Sequence, residues 1–323
     1  MTNTSLLVLG AGELGMAVLR NLAKRSVSSP GATVTVLLRP ASLNSNAPDK
    51  QRNIAELRSL GVEFLAGDLA SSIEELSALF KDFHTVICCT GFVTGTGGFQ
   101  LKLTRAVLDA GVQRYIPWQF GVDYDVIGRG SAQDLWDEQL DVRELLRSQE
   151  RTAWVVVSTG LFTSFLFDPS FGIVDLPENT VHALGSWDTA VTVTTPNDIG
   201  YLTAEICFAE PRIANRIVYT AGDTVTYGQV ADIVDSVLKR KVRRVEWSVS
   251  QLKDELVKDP NDPLKKYRVV FAEGKGVSWA LEKTFNAQRG IAVVSAERWA
   301  REHLTPNLSD SAVNKIKRES AEL

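Results

Sequence analysis

The sequence predicts a doubly wound α/β fold, a parallel sheet covered by helices on both faces, followed by a smaller C-terminal lobe. Two observations predict it. The first half of the chain alternates apolar strand-like runs with helix-like segments at the spacing of right-handed crossovers. At its start the run Ser5-Leu6-Leu7-Val8-Leu9 enters Gly10-Ala11-Gly12-Glu13-Leu14-Gly15, and Ala17, Val18, Leu19, Leu22 and Ala23 continue at helical spacing. The glycines therefore occupy a strand-to-helix turn, the context in which this pattern signals a dinucleotide. Gly10 permits the tight turn, Gly12 lets a pyrophosphate approach the backbone, and Gly15 lets the helix pack closely on the strand. The helix start, at Glu13 and Leu14, offers free N–H groups to phosphate.

The second strand, 33–38, alternates β-branched and apolar residues and ends at Arg39-Pro40. A polar loop covers 41–48, and a helix is expected over 50–60. The third strand, 62–65, stops at Gly67-Asp68. The next helix spans 71–81, with Ser71 or Ser72 as its cap and Glu74-Glu75 in its first turn. Strand four (84–89), a helix (98–110), strand five (114–117), a long helix (132–148) and strand six (154–158) complete the alternation. From Thr159 to Phe171 aromatic and apolar residues mix with Pro and Gly without a period. A short strand (191–195), a helix (197 to about 209), a strand (216–220) and an amphipathic helix (227–238) follow. The expected division is a nucleotide-binding domain over 1–158, rejoined by a strand near 216–221, and mainly a substrate lobe over 159–323. The charged tail after Thr305 is expected to be peripheral.

Composition narrows the function. The chain has 323 residues, 44% hydrophobic and 23% charged, with a net charge of −4, which argues against a nucleic-acid partner. The basic cluster Lys239-Arg240-Lys241 and Arg243-Arg244 is expected to be a solvated helix end and the strand after it. Three cysteines give no disulfide framework, and adjacent Cys88 and Cys89 on one strand point to opposite faces, so they cannot share an ion. The histidines, His84, His182 and His303, have no metal-ligand spacing, so no metal site is expected. No apolar run approaches a membrane span, and a cytoplasmic protein is expected, as a monomer or homodimer acting on a small molecule.

The end of strand two selects the dinucleotide. An NAD site usually places an acid there for the ribose hydroxyls. This chain has Arg39, and no acid lies between Glu13 and Asp49. Arginine suits a 2′-phosphate, so the expected cofactor is NADPH/NADP+. In such sheets ligands bind beyond the carboxyl ends of the strands. The nicotinamide is expected near Thr90-Gly91-Phe92 after strand four and Trp118-Gln119 after strand five, with Gln100 in reach. Phe92, Trp118, Thr159, Phe162 and Phe165 are the expected substrate contacts. There is no nucleophile elbow, zinc-protease motif or phosphate loop with Lys, and none of the six tyrosines is followed by Lys four residues on.

On these residues the chain resembles the NmrA-like and isoflavone-reductase-like atypical short-chain dehydrogenases, particularly fungal-type members. The likeness runs from residue 5 to about 245. It includes the glycine motif, Arg39, Lys50 eleven residues before Gly61, Gly67-Asp68, Gln100, and Arg114-Tyr115-Ile116-Pro117-Trp118-Gln119-Phe120-Gly121-Val122-Asp123, similar to the family's RFFPSEFGxD stretch. The resemblance implies that Arg39 and Lys50 hold the 2′-phosphate. It also exposes a departure. Plant reductases of the family carry a catalytic Lys in a context like F-D-x-K-x-x-V-R, whereas this chain reads Trp136-Asp137-Glu138-Gln139-Leu140-Asp141-Val142-Arg143, and no lysine occurs between Lys102 and Lys239. Gln139 can hydrogen-bond but cannot deliver a proton. The expected function is an NADPH-dependent reductase of a C=N, C=C or C=O bond in a small aromatic or heterocyclic metabolite. Gln139 would orient the substrate, and Tyr124, Asp137 or water would supply any proton. The alternative is a non-catalytic NADP(H)-sensing regulator.

Overall fold

The computed structural model describes residues 4–91 and 97–304. Phe92 and the tail after Thr305 lie outside the described residues. The chain divides into two compact units. One comprises 1–119, 138–157 and 196–218; the other comprises 120–137, 158–195 and 219–323. The chain thus crosses more often than a single boundary at 158 suggests, because segments distant in sequence complete each unit.

The first unit is built on a seven-stranded, mostly parallel sheet. Its strands are β1 (Thr4–Leu9), β2 (Ala32–Leu38), β3 (Glu63–Ala66), β4 (Thr85–Cys88), β5 (Arg114–Ile116), β6 (Ala153–Ser158) and the returning strand Arg216–Tyr219. From the returning strand the order is β6, β5, β4, β1, β2, β3. β1 pairs in parallel with β2 on one side and β4 on the other, so strand order reverses at β1/β4. That reversal opens the crevice where this architecture binds ligands. Continuous burial of Leu6, Leu7, Val8 and Leu9, and of Val86, Ile87 and Cys88, explains their unbroken apolar runs: a sheet covered on both faces has no polar side. Leu7, Leu9, Val86, Leu103, Val107, Tyr115, Leu146 and Val156 share one core.

Local chemistry sets the element ends. Helix Ile73–Phe80 begins at Ser72, whose side chain accepts from Glu75 N–H while Glu75 returns the bond. Helix Pro48–Ser59 starts two residues before its expected beginning, because Pro48 suits the first helical position. The long helix runs Leu135–Arg147 rather than from 132. Asp137 holds the preceding loop by accepting from Gly130 N–H at 3.1 Å, and Ser131 Oγ donates to the Gln133 carbonyl.

Helix α1 (Glu13–Ser26) packs against helix Pro196–Cys207 through Gly200. A Cβ at Gly200 would stand 2.4 Å from the Ala17 carbonyl atoms and 2.8 Å from Val18 N. All are backbone, so the helices would have to separate. Gly200→Ala is expected to lower unfolding stability by about 2 kcal/mol, read as an earlier urea midpoint. A midpoint unchanged from the parent would contradict this packing.

The second unit holds two three-stranded sheets. One orders Asp223–Thr226, Ala190–Thr194 and Leu161–Phe162; the other orders Arg243–Trp247, Thr180–Leu184 and Val174–Asp175. Helix Tyr227–Leu238 spans its expected range, capped reciprocally by Thr226 and Gln229. The neighbouring basic cluster is partly neutralised: Lys241 and Arg244 reach Asp235 at 3.0 Å, and Arg244 reaches Asp232 at 2.6 Å. No described helix is long and apolar enough to cross a membrane.

Candidate cofactor and active site

The glycine turn follows β1 at the switch point. Gly10 has φ +93°, a left-handed conformation that favours glycine, and a Cβ there would meet Thr90 Cγ2 at 2.8 Å. Gly15 faces inward: its Cβ would lie 2.3 Å from the Gly10 carbonyl oxygen. Gly12 is different. Its φ of −71° suits any residue, and among the described residues, its chain neighbours aside, nothing lies within 4 Å of where its Cβ would be. Gly12 is also the N-cap of α1 and brings no capping side chain, while the first intrahelical bond is Met16 N–H to the Gly12 carbonyl. First-turn N–H groups have no partner within their own helix. An open cradle beside the positive end of a helix is what a pyrophosphate requires. Leu14 is buried, so it offers only backbone; Glu13 is exposed.

Arg39 closes β2, and its carbonyl accepts from Ser42 and Leu43 N–H, fixing the turn. Its side chain and that of Lys50 are exposed, and neither has a hydrogen-bond or ion-pair partner among the described residues. Several other cations of this unit are engaged. Arg20 forms a two-pronged pair with Glu56 at 2.5 and 2.8 Å, Arg25 reaches Glu205 at 3.5 Å, and Arg52 pairs with Asp49. The hydrogen bond from Arg20 lowers the Glu56 carboxyl below the usual range. Two uncommitted cations after β2 fit a phosphate monoester.

Beyond β4 and β5 the structure revises several expected contacts. Gln100 does not extend toward a ligand. It is buried, and its Nε2 donates to the carbonyls of Thr90 at 2.8 Å and Gly91 at 3.1 Å, so it shapes the backbone after β4. Gln119 is likewise turned inward. Its Oε1 accepts from Arg143 Nε at 2.7 Å, and its Nε2 donates to the main-chain carbonyl of Gln139 at 2.9 Å. The Trp118 ring lies against Gly91, 3.4 Å from where a Cβ there would be. Thr90 Oγ1 lies 3.2 Å from Cys88 Sγ. Burial raises the Cys88 and Cys89 thiols and pushes Cys207 up to about 11, so none offers a thiolate near neutrality.

Gln139 is 0% exposed, and neither its Oε1 nor its Nε2 has a hydrogen-bond partner among the described residues. Leaving such groups unpaired costs about 1–3 kcal/mol each, so this position calls for a ligand or water. The other expected catalytic side chains are engaged within the second unit. The Asp137 carboxylate holds Gly130 N–H. Tyr124 is buried edge-on to Trp136 at 5.6 Å, and a Cβ at Gly121 would stand 2.7 Å from its hydroxyl.

Thr159 is buried: its N–H donates to the Gly121 carbonyl, its own carbonyl accepts from Thr194 Oγ1 at 2.6 Å, and its hydroxyl donates to the Gly160 carbonyl at 3.4 Å. Phe162 caps the turn Thr163–Leu166. Phe165 stacks on Phe171 at 4.5 Å and meets Tyr267 edge-on at 6.1 Å, and Tyr267 in turn meets Trp136. Tyr267 lies a hundred residues from Phe165, and no local pattern links them. Tyr219 also escaped the sequence reading, although its place at the carboxyl end of a strand was a signal; its hydroxyl donates to Asp123 Oδ2 at 2.6 Å.

The NmrA-like family model matches residues 1–288. An NmrA-like family domain-containing oxidoreductase of Gibberella moniliformis is 47% identical over 299 residues, covering 92% of this chain and 97% of its own. Phenylcoumaran benzylic ether reductase 1 of Arabidopsis thaliana is 25% identical over 300 residues, covering 89% and 93%. The crystal structure of an isoflavone reductase superposes with a TM-score of 0.76 at 21% identity, over 93% of this chain and 99% of that one. The binary complex of leucoanthocyanidin reductase with NADPH from Vitis vinifera gives 0.75 at 17%, over 92% and 98%. The structural matches show a shared fold, and with the family model and the 47% relative they lead to one assignment: the chain belongs to the NmrA-like family.

Proposed function

We propose that this protein is an NADPH-dependent reductase that transfers hydride to a small aromatic or heterocyclic metabolite, with a C=N bond as the favoured acceptor. The observation that carries the reading is the open cradle at Gly12 together with the uncommitted Arg39 and Lys50. The oxidoreductase relative and the reductase relatives support it. Gly10, Gly12 and the first-turn N–H groups of Glu13, Leu14 and Gly15 would hold the pyrophosphate, Arg39 and Lys50 the 2′-phosphate, and Thr90, Gly91 and Trp118 the nicotinamide end. The bound cofactor supplies the hydride.

The proton inventory favours the acceptor. Gln139 has no proton to give, Tyr124 is enclosed, and Asp137 is held by a loop N–H. A protonated imine needs no acid, because hydride addition to its carbon leaves a neutral amine. Gln139→Ala is expected to slow imine reduction about ten-fold through loss of an orienting bond. Gln139→Lys is expected to give no gain, since a cation there would oppose a cationic substrate. A clear rate gain for Gln139→Lys would contradict the C=N reading. The reading as a whole is tested by stopped-flow loss of NADPH absorbance against cyclic imines, enones and ketones. Turnover of the imines supports it. NADPH binding without turnover of any class would favour a sensing regulator.

A further inference from the structure

Gln139 is anchored at one end and unsatisfied at the other. Its main-chain carbonyl is tied to the segment after β5 by Gln119 Nε2, and Gln119 is itself held by Arg143. Both Gln119 and Arg143 are almost wholly buried. The Gln139 carboxamide, also buried, has neither its donor nor its acceptor paired. A lysine would present donors alone, whereas an amide presents a donor and an acceptor side by side on one plane. A single group that satisfies both at once in that plane is another planar one with an acceptor beside a donor.

On the NADP(H) reading, on which this inference rests, two groups of the dinucleotide have that pattern: the adenine edge and the nicotinamide carboxamide. The adenine accompanies the 2′-phosphate, at Arg39 and Lys50 after β2. Gln139 is tied to the end of β5, which lies on the other side of β1 in the sheet, beyond β4. We propose that Gln139 pairs, amide to amide, with the carboxamide of the nicotinamide ring, and that Gln119 is the positioning residue that holds Gln139 there. The side chains enclosing Gln139 must yield to admit the ring. Once formed, the pair is shielded from water, where a hydrogen bond is stronger than at an exposed site. The neutral residue at this position then sets the rotation of the ring rather than moving a proton.

The test is binding, measured by calorimetry on the full chain. The 3-acetylpyridine analogue of NADP+ keeps the carbonyl acceptor and lacks the amide donor. The unmodified protein is expected to bind NADP+ about ten-fold more tightly than the analogue. In Gln139→Met, similar in length and without hydrogen-bonding groups, the ratio should fall to about one. Adenosine 2′,5′-bisphosphate, which lacks the nicotinamide half, should bind both proteins equally. A ratio near one in the unmodified protein overturns the proposal whatever the variant does, and so does a ten-fold ratio that survives in Gln139→Met. Failure of the unmodified protein to bind either NADP+ or the bisphosphate overturns both this proposal and the NADP(H) reading. Binding of both without discrimination against the analogue overturns this proposal alone.

Discussion

Gly12→Val is expected to weaken NADPH binding by at least about a hundred-fold, about 2.7 kcal/mol, while leaving the protein folded. The expectation follows from two properties of Gly12. Its backbone, at φ −71°, is open to any residue, and among the described residues, its chain neighbours aside, no atom lies within 4 Å of the space its Cβ would enter. Neither backbone strain nor protein crowding calls for glycine here; beyond its modest advantage as an N-cap, the reason lies in what occupies that space. Gly15 makes the contrast: its Cβ would overlap the Gly10 carbonyl, so a valine there would break the turn itself. Calorimetry with NADPH, alongside a thermal melt, separates the two cases. A folded Gly12→Val protein that binds NADPH undiminished would contradict the assignment of the cradle.

The second large effect concerns the phosphate that distinguishes the two dinucleotides. Arg39 and Lys50 are exposed and uncommitted, so removing them costs no internal partner. Charge-assisted contacts to phosphate contribute about 1.5–3 kcal/mol each. The double variant Arg39→Ala/Lys50→Ala is therefore expected to lose at least about a hundred-fold in NADPH affinity, with NADH affinity and melting temperature nearly unchanged. Salt should weaken NADPH binding in the parent more than in the variant, because exposed charges are screened. Equal losses for NADPH and NADH would mean that these cations act on something other than the 2′-phosphate.

The parts of the fold legible in the sequence are those whose physics is local. β1 and β4 read as apolar runs because both faces of the sheet are covered, and the turn at Gly10–Gly15 follows from backbone sterics within six residues. Helix Tyr227–Leu238 was legible to the residue because its cap and its apolar stripe are both in the sequence. The second unit was less so. Its strand Leu161–Phe162 has two residues and is defined by pairing with Val193 and Thr194, thirty residues away, which leaves no periodicity to detect. Site residues divide the same way. Arg39 and Gly12 stand where their local turns place them, Arg39 at the end of β2 and Gly12 at the start of α1. Gln100, Gln119 and Thr159 stand at strand ends or in the helix beside one, where a polar residue can face a ligand or turn inward. Only tertiary partners decide: the Thr90 and Gly91 carbonyls for Gln100, Arg143 for Gln119, and, for Thr159, the main-chain bonds with Gly121 and Thr194 in a buried setting.

The central claim is that this chain carries an NADP(H) site assembled from the β1 glycine turn and the cations after β2. A calorimetric titration of the unmodified protein with NADPH and NADH at one ionic strength tests it most directly. NADPH is expected to bind at least about ten-fold more tightly, as a single charge-assisted contact would give. Equal affinity for the two, or no binding of either, would contradict it.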